Sequence, residues 1–195
     1  LNLAIMNINF QIDNSTFSDN FIIKQNFENG FKNLKIQGYQ EFFESTTSNY
    51  LYISNDILSK IKQELSNHYP NEFGGVFVGF KQNELIVIED VLIPDDFENG
   101  KTIFVRRPGT LNERLELIFN TTKGKITYIG EWHSHPGGPP NPSSTDINAM
   151  QEIADTKKIG NSNPILMIVK ITEEIFEPVI YIYDKKKLLS YERQN

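Results

Sequence analysis

At 195 residues the chain is long enough for one well-cored domain and short for two, and its 38% hydrophobic and 12% aromatic content is that of a globular chain rather than a disordered one. A net charge of -6 excludes nucleic acid as an expected partner, because affinity for a phosphate backbone comes from clustered Lys and Arg. Zero cysteines exclude disulfides, a thiol nucleophile and thiolate metal ligation, so any metal must be held by His and carboxylate.

No apolar run reaches the roughly 18 residues of a bilayer span and no signal-like pattern opens the chain, which predicts a soluble, cytoplasmic protein with no membrane partner. Residues 1–48 hold seven of the fourteen Phe among many Asn, Ser and Thr. Leu3 and Ile5, then Ile8, Phe10 and Ile12, alternate as strands do, so this stretch reads as an accessory β-rich extension. Its aromatics are suited to covering a sheet edge or to docking a partner.

The main domain is expected over residues 49–190. Tyr50 to Ile53 suits a strand, and Ser54 caps a helix whose apolar residues Ile57, Leu58, Ile61 and Leu65 follow helical spacing and which stops before Pro70 with His68 near its end. Gly75 to Phe80 and Leu85 to Val91 read as a hairpin turning at Lys81-Gln82-Asn83. Pro94 to Gly100 reads as an acidic loop and Thr102 to Val105 as a strand. From Thr110 a second helix is expected, burying Leu111, Leu115, Leu117, Ile118 and Phe119 and ending near Lys123-Gly124. Lys125 to His133 is strand-like, Ser143 to about Thr156 helical, and Ile165 to Ile171 with Ile175 to Tyr183 a final strand pair, before a solvated Lys185-Lys186-Lys187 turn. This order predicts a mixed α+β domain with a mostly antiparallel β-sheet flanked by helices.

The chemistry concentrates in residues 130–150. Side chains two apart on a strand share a face, so His133 and His135 can present both imidazoles to one point. A rigid Pro/Gly crossing follows, then Ser143 at a helix N-cap, which puts Asp146 in the first turn, able to point back at the imidazoles. Two neutral imidazoles and one carboxylate leave a fourth tetrahedral position open, the pattern of a catalytic zinc site suited to hydrolysis. Two His and a carboxylate also describe non-haem iron sites. For a general base, Glu72 ahead of Phe73-Gly74-Gly75 and Glu131 on the histidine face compete evenly, with Asp90 a distant third. Trp132 is expected to pack on the core or prop the histidines.

The string His133-Ser134-His135-Pro136, seven residues between His135 and Ser143, and then Ser143-Ser144-Thr145-Asp146 resembles the JAMM signature (H-x-H, seven residues, S-x-x-D) of JAB/MPN-domain zinc peptidases. Upstream, Glu72-Phe73-Gly74-Gly75-Val76-Phe77-Val78-Gly79 resembles that family's first-strand segment; the likeness spans roughly residues 50 to 185. It implies a curved sheet with cytidine-deaminase-like layering. It also implies that His133, His135 and Asp146 hold Zn2+, that Glu72 activates water and carries its proton to the leaving amine, and that Ser143 hydrogen-bonds the oxyanion or the water. Glu131 then falls to an orienting or substrate-contacting role.

The implied substrate is the amide or isopeptide bond after the extended C-terminal tail of a ubiquitin-like protein or its conjugate. Such a tail would add to a sheet edge near Thr102 to Val105, with Arg106 and Arg107 in reach of it. The Glu-Trp-His-Ser-His-Pro variant is most similar to bacterial JAB deconjugating peptidases of anti-phage operons, including the CBASS type, whose activating and conjugating enzymes are the further implied partners. The alternative implied by the fold is an inactive JAB/MPN binding module for a ubiquitin-like or synthase partner.

Overall fold

The structure is a computed structural model that describes residues 22–27, 30–35, 40–45, 50–107 and 109–193. The chain divides into two units at Gln40/Glu41. In the first, β1 (Ile22–Phe27) and β2 (Gly30–Lys35) form an antiparallel hairpin. The predicted alternation between Leu3 and Ile12 lies outside the described residues.

In the second unit, β3 (Gln40–Ser45), whose first residue falls at the division, and β4 (Tyr50–Ser54) precede α1 (Asn55–His68). The Ser54 side chain accepts the Ile57 N–H, as an N-cap should, and Ile57, Leu58, Ile61 and Leu65 are the buried stripe of α1. Then come β5 (Gly74–Gln82) and β6 (Leu85–Leu92). The hairpin between them turns one residue later than expected, with Asn83 in the left-handed region at φ 55°.

Pro94 to Gly100 is not wholly a loop. Phe97–Gly100 forms β7, paired with β8 (Ile103–Arg106) in a two-stranded sheet of its own. The four residues of β7 carry no alternation, and only the register with β8 makes them a strand. The predicted second helix is α2 (Leu111–Thr121), but its buried side is narrower than expected. Leu111 is buried and Leu115 and Ile118 half-buried, whereas Leu117 is 62% and Phe119 51% exposed, because both fall off the 111/115/118 stripe.

Next are β9 (Thr127–Pro136), α3 (Ser144–Asp155), β10 (Ile165–Ile171), β11 (Phe176–Asp184) and β12 (Lys187–Arg193). Sequence reading had no strand at β12; Lys185 and Lys186 adopt positive φ, and the turn they make returns the chain along β11. The sheet closes in the order β10-β11-β12-β3-β4-β6-β5-β9. Among the described pairings only β9/β10 and β4/β6 are parallel, so this is the expected mixed α+β fold with a curled, mostly antiparallel sheet.

Strand alternation sends Phe77, Trp132, Met167 and Val169 to the face filled by α1, and the register shift between β5 and β9 brings Ile129 to the same face. The opposite face sends Val76 and Val78 toward α2, and Leu166 and Ile168 toward Met150 of α3. Among the described residues no helix is long and apolar enough to cross a membrane.

Close approach of β5 to its two neighbours, β9 and β6, depends on glycine. A Cβ on Gly74 would lie 2.3 Å from the Trp132 carbonyl oxygen, and one on Gly75 2.5 Å from the Leu92 carbonyl oxygen. Backbone cannot yield as a side-chain tip can, so Gly74→Ala is expected to cost about 1–3 kcal/mol. A thermal melt unchanged by that substitution would show that the strands have room to separate.

Candidate active site

The antiparallel register of β5 and β9 sets Gly74 opposite His133 and Gly75 opposite Trp132. Trp132 and Ser134 point inward and are each 1% exposed, so His133 and His135, with Glu131, share the outer face against which α3 packs. Their Nε2 atoms are 3.2 Å apart. His135 Nδ1 lies 2.8 Å from the Pro139 carbonyl, which can only accept; the proton therefore sits on Nδ1, and Nε2 offers its lone pair toward His133. The Pro/Gly crossing thus orients one imidazole, and Tyr181 braces it by donating to the Pro140 carbonyl at 2.8 Å. Burial, opposed by the Asp146 carboxylate, holds His133 down to about 4, so it is neutral at pH 7.

Asp146 arrives from α3 through a capping box. Ser143 Oγ accepts the Asp146 N–H at 3.2 Å, and Asp146 Oδ2 accepts both the Ser143 N–H and the Ser143 hydroxyl at 2.6 Å. With Oδ2 occupied, Oδ1 faces His133 Nε2 at 3.4 Å. The cap that starts the helix therefore also aims the carboxylate. In this structure the Ser143 hydroxyl proton is committed to Asp146.

The three convergent atoms lie within 4.8 Å of one another. Ligands about 2.0–2.1 Å from a tetrahedral zinc stand about 3.3–3.4 Å apart, and the observed 3.2 and 3.4 Å match that spacing. Two imidazole nitrogens and a carboxylate oxygen, held by elements 61 and more residues from Glu72 yet opening on the same groove, fit a cation.

Glu72 reaches this groove because its neighbours are pinned. Phe73 donates its N–H to Ser134 Oγ at 3.1 Å and accepts the Ser134 N–H at 2.9 Å, while the Glu72 N–H donates to the Gly100 carbonyl at 2.8 Å. Its carboxylate has no hydrogen-bond or ion-pair partner among the described residues. Burial raises its pKa, opposed by His135 and reinforced by Asp146. Sequence reasoning passed over Ser134. The signal was available: a small hydroxyl between two outward histidines must face the core, where it needs a backbone partner.

The groove, of about 820 Å³, runs between β8 and α3 with β9 as its floor. Glu131 lines it but is engaged, pairing with Arg106 at 2.6 Å. Arg107 pairs with Asp96 and Glu98 across the base of the β7–β8 hairpin, so both arginines have partners within the chain. Asp90 binds Lys60 at 2.8 Å and lines neither this groove nor its rim. His68 ends α1 as expected, stacked on Phe73 at 3.6 Å.

The chain is similar to known proteins. The chain is 30% identical over 122 residues to a CD-NTase/cGAS isopeptidase of Enterobacter hormaechei, covering 61% of this chain and 66% of that protein. It is 27% identical over 143 residues to a CD-NTase/cGAS isopeptidase of Escherichia coli, covering 72% of this chain and 88% of the relative. The solution structure of protein DSY2949 from Desulfitobacterium hafniense shares the fold with a TM-score of 0.51 at 16% identity, over 74% of this chain and 88% of the other. The family model for prokaryotic homologs of the JAB domain matches residues 54–182, a span that takes in Glu72, both histidines and the α3 cap. On that match the chain belongs to the prokaryotic JAB-domain family.

Proposed function

We propose that the protein is a zinc-dependent isopeptidase that hydrolyses the amide bond after an extended C-terminal tail. The observation that carries this reading is the convergence of His133, His135 and Asp146 in one groove with a partly buried Glu72 that has no partner among the described residues. His133, His135 and Asp146 would hold the metal, and zinc held by such a set supplies a Lewis acid that activates water and polarises a carbonyl. Glu72 takes the proton of the attacking water and delivers it to the leaving amine nitrogen. Ser143 is assigned to the oxyanion or the water, a role that requires its hydroxyl to turn away from Asp146 during turnover.

The tail is expected to lie along β8. Among the described residues that strand pairs with β7 on one side only, and Lys101 to Arg106 all border the groove, so an incoming strand finds unpaired backbone beside the proposed metal ligands. The names of the relatives favour a CD-NTase conjugate as substrate, with a ubiquitin-like conjugate as the other source of such a tail. Activating and conjugating enzymes that make the conjugate are the further partners of this reading, and an anti-phage setting in the bacterial cytoplasm is its context.

The test is cleavage of two reporter fusions, one joined to a CD-NTase C-terminal tail and one to a ubiquitin-like tail. Cleavage is expected at the junction, to be lost on chelation and restored by zinc. A zinc-loaded protein that cleaves neither fusion would instead be a binding module on this fold.

A further inference from the structure

The β7–β8 hairpin is a two-stranded sheet with no backbone pairing to the barrel among the described residues, and an isolated hairpin of this size does not hold its own position. Contacts of three kinds tie it to the rest of the domain. Phe97 and Phe104 pack edge-on against Phe73, with ring centroids 5.0 and 5.5 Å away. At the tip, the Gly100 carbonyl accepts the Glu72 N–H at 2.8 Å. At the open end, where Arg106 stands opposite Phe97, Arg106 Nη2 lies 2.6 Å from Glu131 Oε1.

These contacts differ in what they fix. Aromatic packing is tolerant of sliding and tilting, whereas a charged hydrogen bond at this distance is directional. The pair is well shielded, with side chains 27% and 21% exposed. The Tyr128 hydroxyl is buried beside the same carboxylate. Glu131 stands on the strand that carries both histidines, two residues before His133, so the pair ties the hairpin to the metal-bearing strand itself.

We infer that the Arg106–Glu131 ion pair sets the tilt of the β7–β8 hairpin and thereby positions Glu72 through the Gly100 carbonyl. The inference rests on the role proposed for Glu72. The lever is short but sufficient. Three residue steps lead from the open end to the tip, about 10 Å at strand rise, so a tilt of about 10° moves the tip by nearly 2 Å and breaks a 2.8 Å hydrogen bond. The two peptide units flanking Glu72 are then held by different elements, one by Ser134 of β9 and one by the hairpin. Arg106 and Glu131 are positioning residues, and they link the strand offered to a substrate tail with the group assigned to move its proton.

The test reads the free protein first. In Arg106→Gln, hydrogen exchange of the Glu72 amide, resolved by NMR, is expected to rise at least about tenfold, with Phe73 and Ser134 amides unchanged. Glu131→Gln should do the same, and the exchanged pair Arg106→Glu with Glu131→Arg should restore protection. Metal content stays that of wild type, and on a cleaved fusion kcat falls about tenfold in the single variants and recovers in the double one. An effect confined to KM, or an unchanged Glu72 amide in both single variants, would overturn the inference and leave Arg106 as a substrate contact. A wild type that cleaves nothing defeats the proposed function instead, and the amide measurement still judges the coupling.

Discussion

Glu72→Gln is expected to keep its metal and lose its turnover. Gln has nearly the size of Glu and still borders the groove, but it cannot take a proton, and removing a positioned general base costs about 10²–10⁴-fold. Glu72 is not one of the three convergent ligands, so elemental analysis of the variant should give the wild-type metal content. Wild-type kcat/KM should also show an acid limb as Glu72 takes up its proton and ceases to act as a base. The residual activity of the variant should lack that limb.

The raised pKa of Glu72 makes a stability prediction with a definite sign. A carboxyl whose folded pKa is raised contributes fully to stability below its unfolded pKa, and that contribution is lost as pH rises through the folded value. At neutral pH the raised pKa of Glu72 therefore costs stability in the metal-free protein. Metal-free Glu72→Gln should melt above metal-free wild type at pH 7, and the gap should close below about pH 4, where the wild-type group is neutral in both states. If Glu131→Gln abolishes cleavage while Glu72→Gln stays active, the base has been assigned to the wrong carboxylate.

Both the legible and the illegible parts of this chain follow from how local their causes are. Helix α1 was readable because a capping Ser54 and four apolar residues at helical spacing lie within twelve positions. The three convergent side chains were readable for the same reason: strand alternation puts His133 and His135 together, and a capping box fixes Asp146. The second helix shows where counting apolar residues fails. Leu117 and Phe119 are apolar, yet the helical angle takes them off the buried stripe and onto the surface. β7 and β12 were missed because neither has a pattern of its own; each is a strand by virtue of β8, or of β11 and β3.

Glu72 lies between these extremes. Spacing alone left it level with Glu131, and family resemblance separated them. What the structure adds is a physical distinction: Glu131 is neutralised by Arg106, whereas the Glu72 carboxylate has no partner among the described residues and is destabilised as an ion. The link that brings Glu72 into the groove spans 61 residues, through the paired hydrogen bonds of Phe73 and Ser134. No local pattern encodes a bond of that range.

The second large effect is expected from His135→Ala, which should reduce bound zinc from about one per chain to near none. His135 is the better ligand to remove. His133 is the more enclosed of the two, so cutting it risks a packing defect, while His135 lies at the groove edge, where its Nδ1 bond to the Pro139 carbonyl is exposed. Without it His133 and Asp146 remain, and two protein ligands do not hold zinc at micromolar concentration against water. A ligand that binds only the folded state raises stability by about 2.7 kcal/mol at a hundredfold excess over Kd. Zinc should therefore raise the wild-type melting temperature by several degrees and leave His135→Ala unmoved, while the two metal-free proteins melt close together. Iron in place of zinc in the wild type would redirect the site toward oxygen chemistry, since two histidines and one carboxylate also suit that metal. Metal retained in full by His135→Ala would mean that the groove binds its ion elsewhere, and the assignment of the three convergent atoms would fail with it.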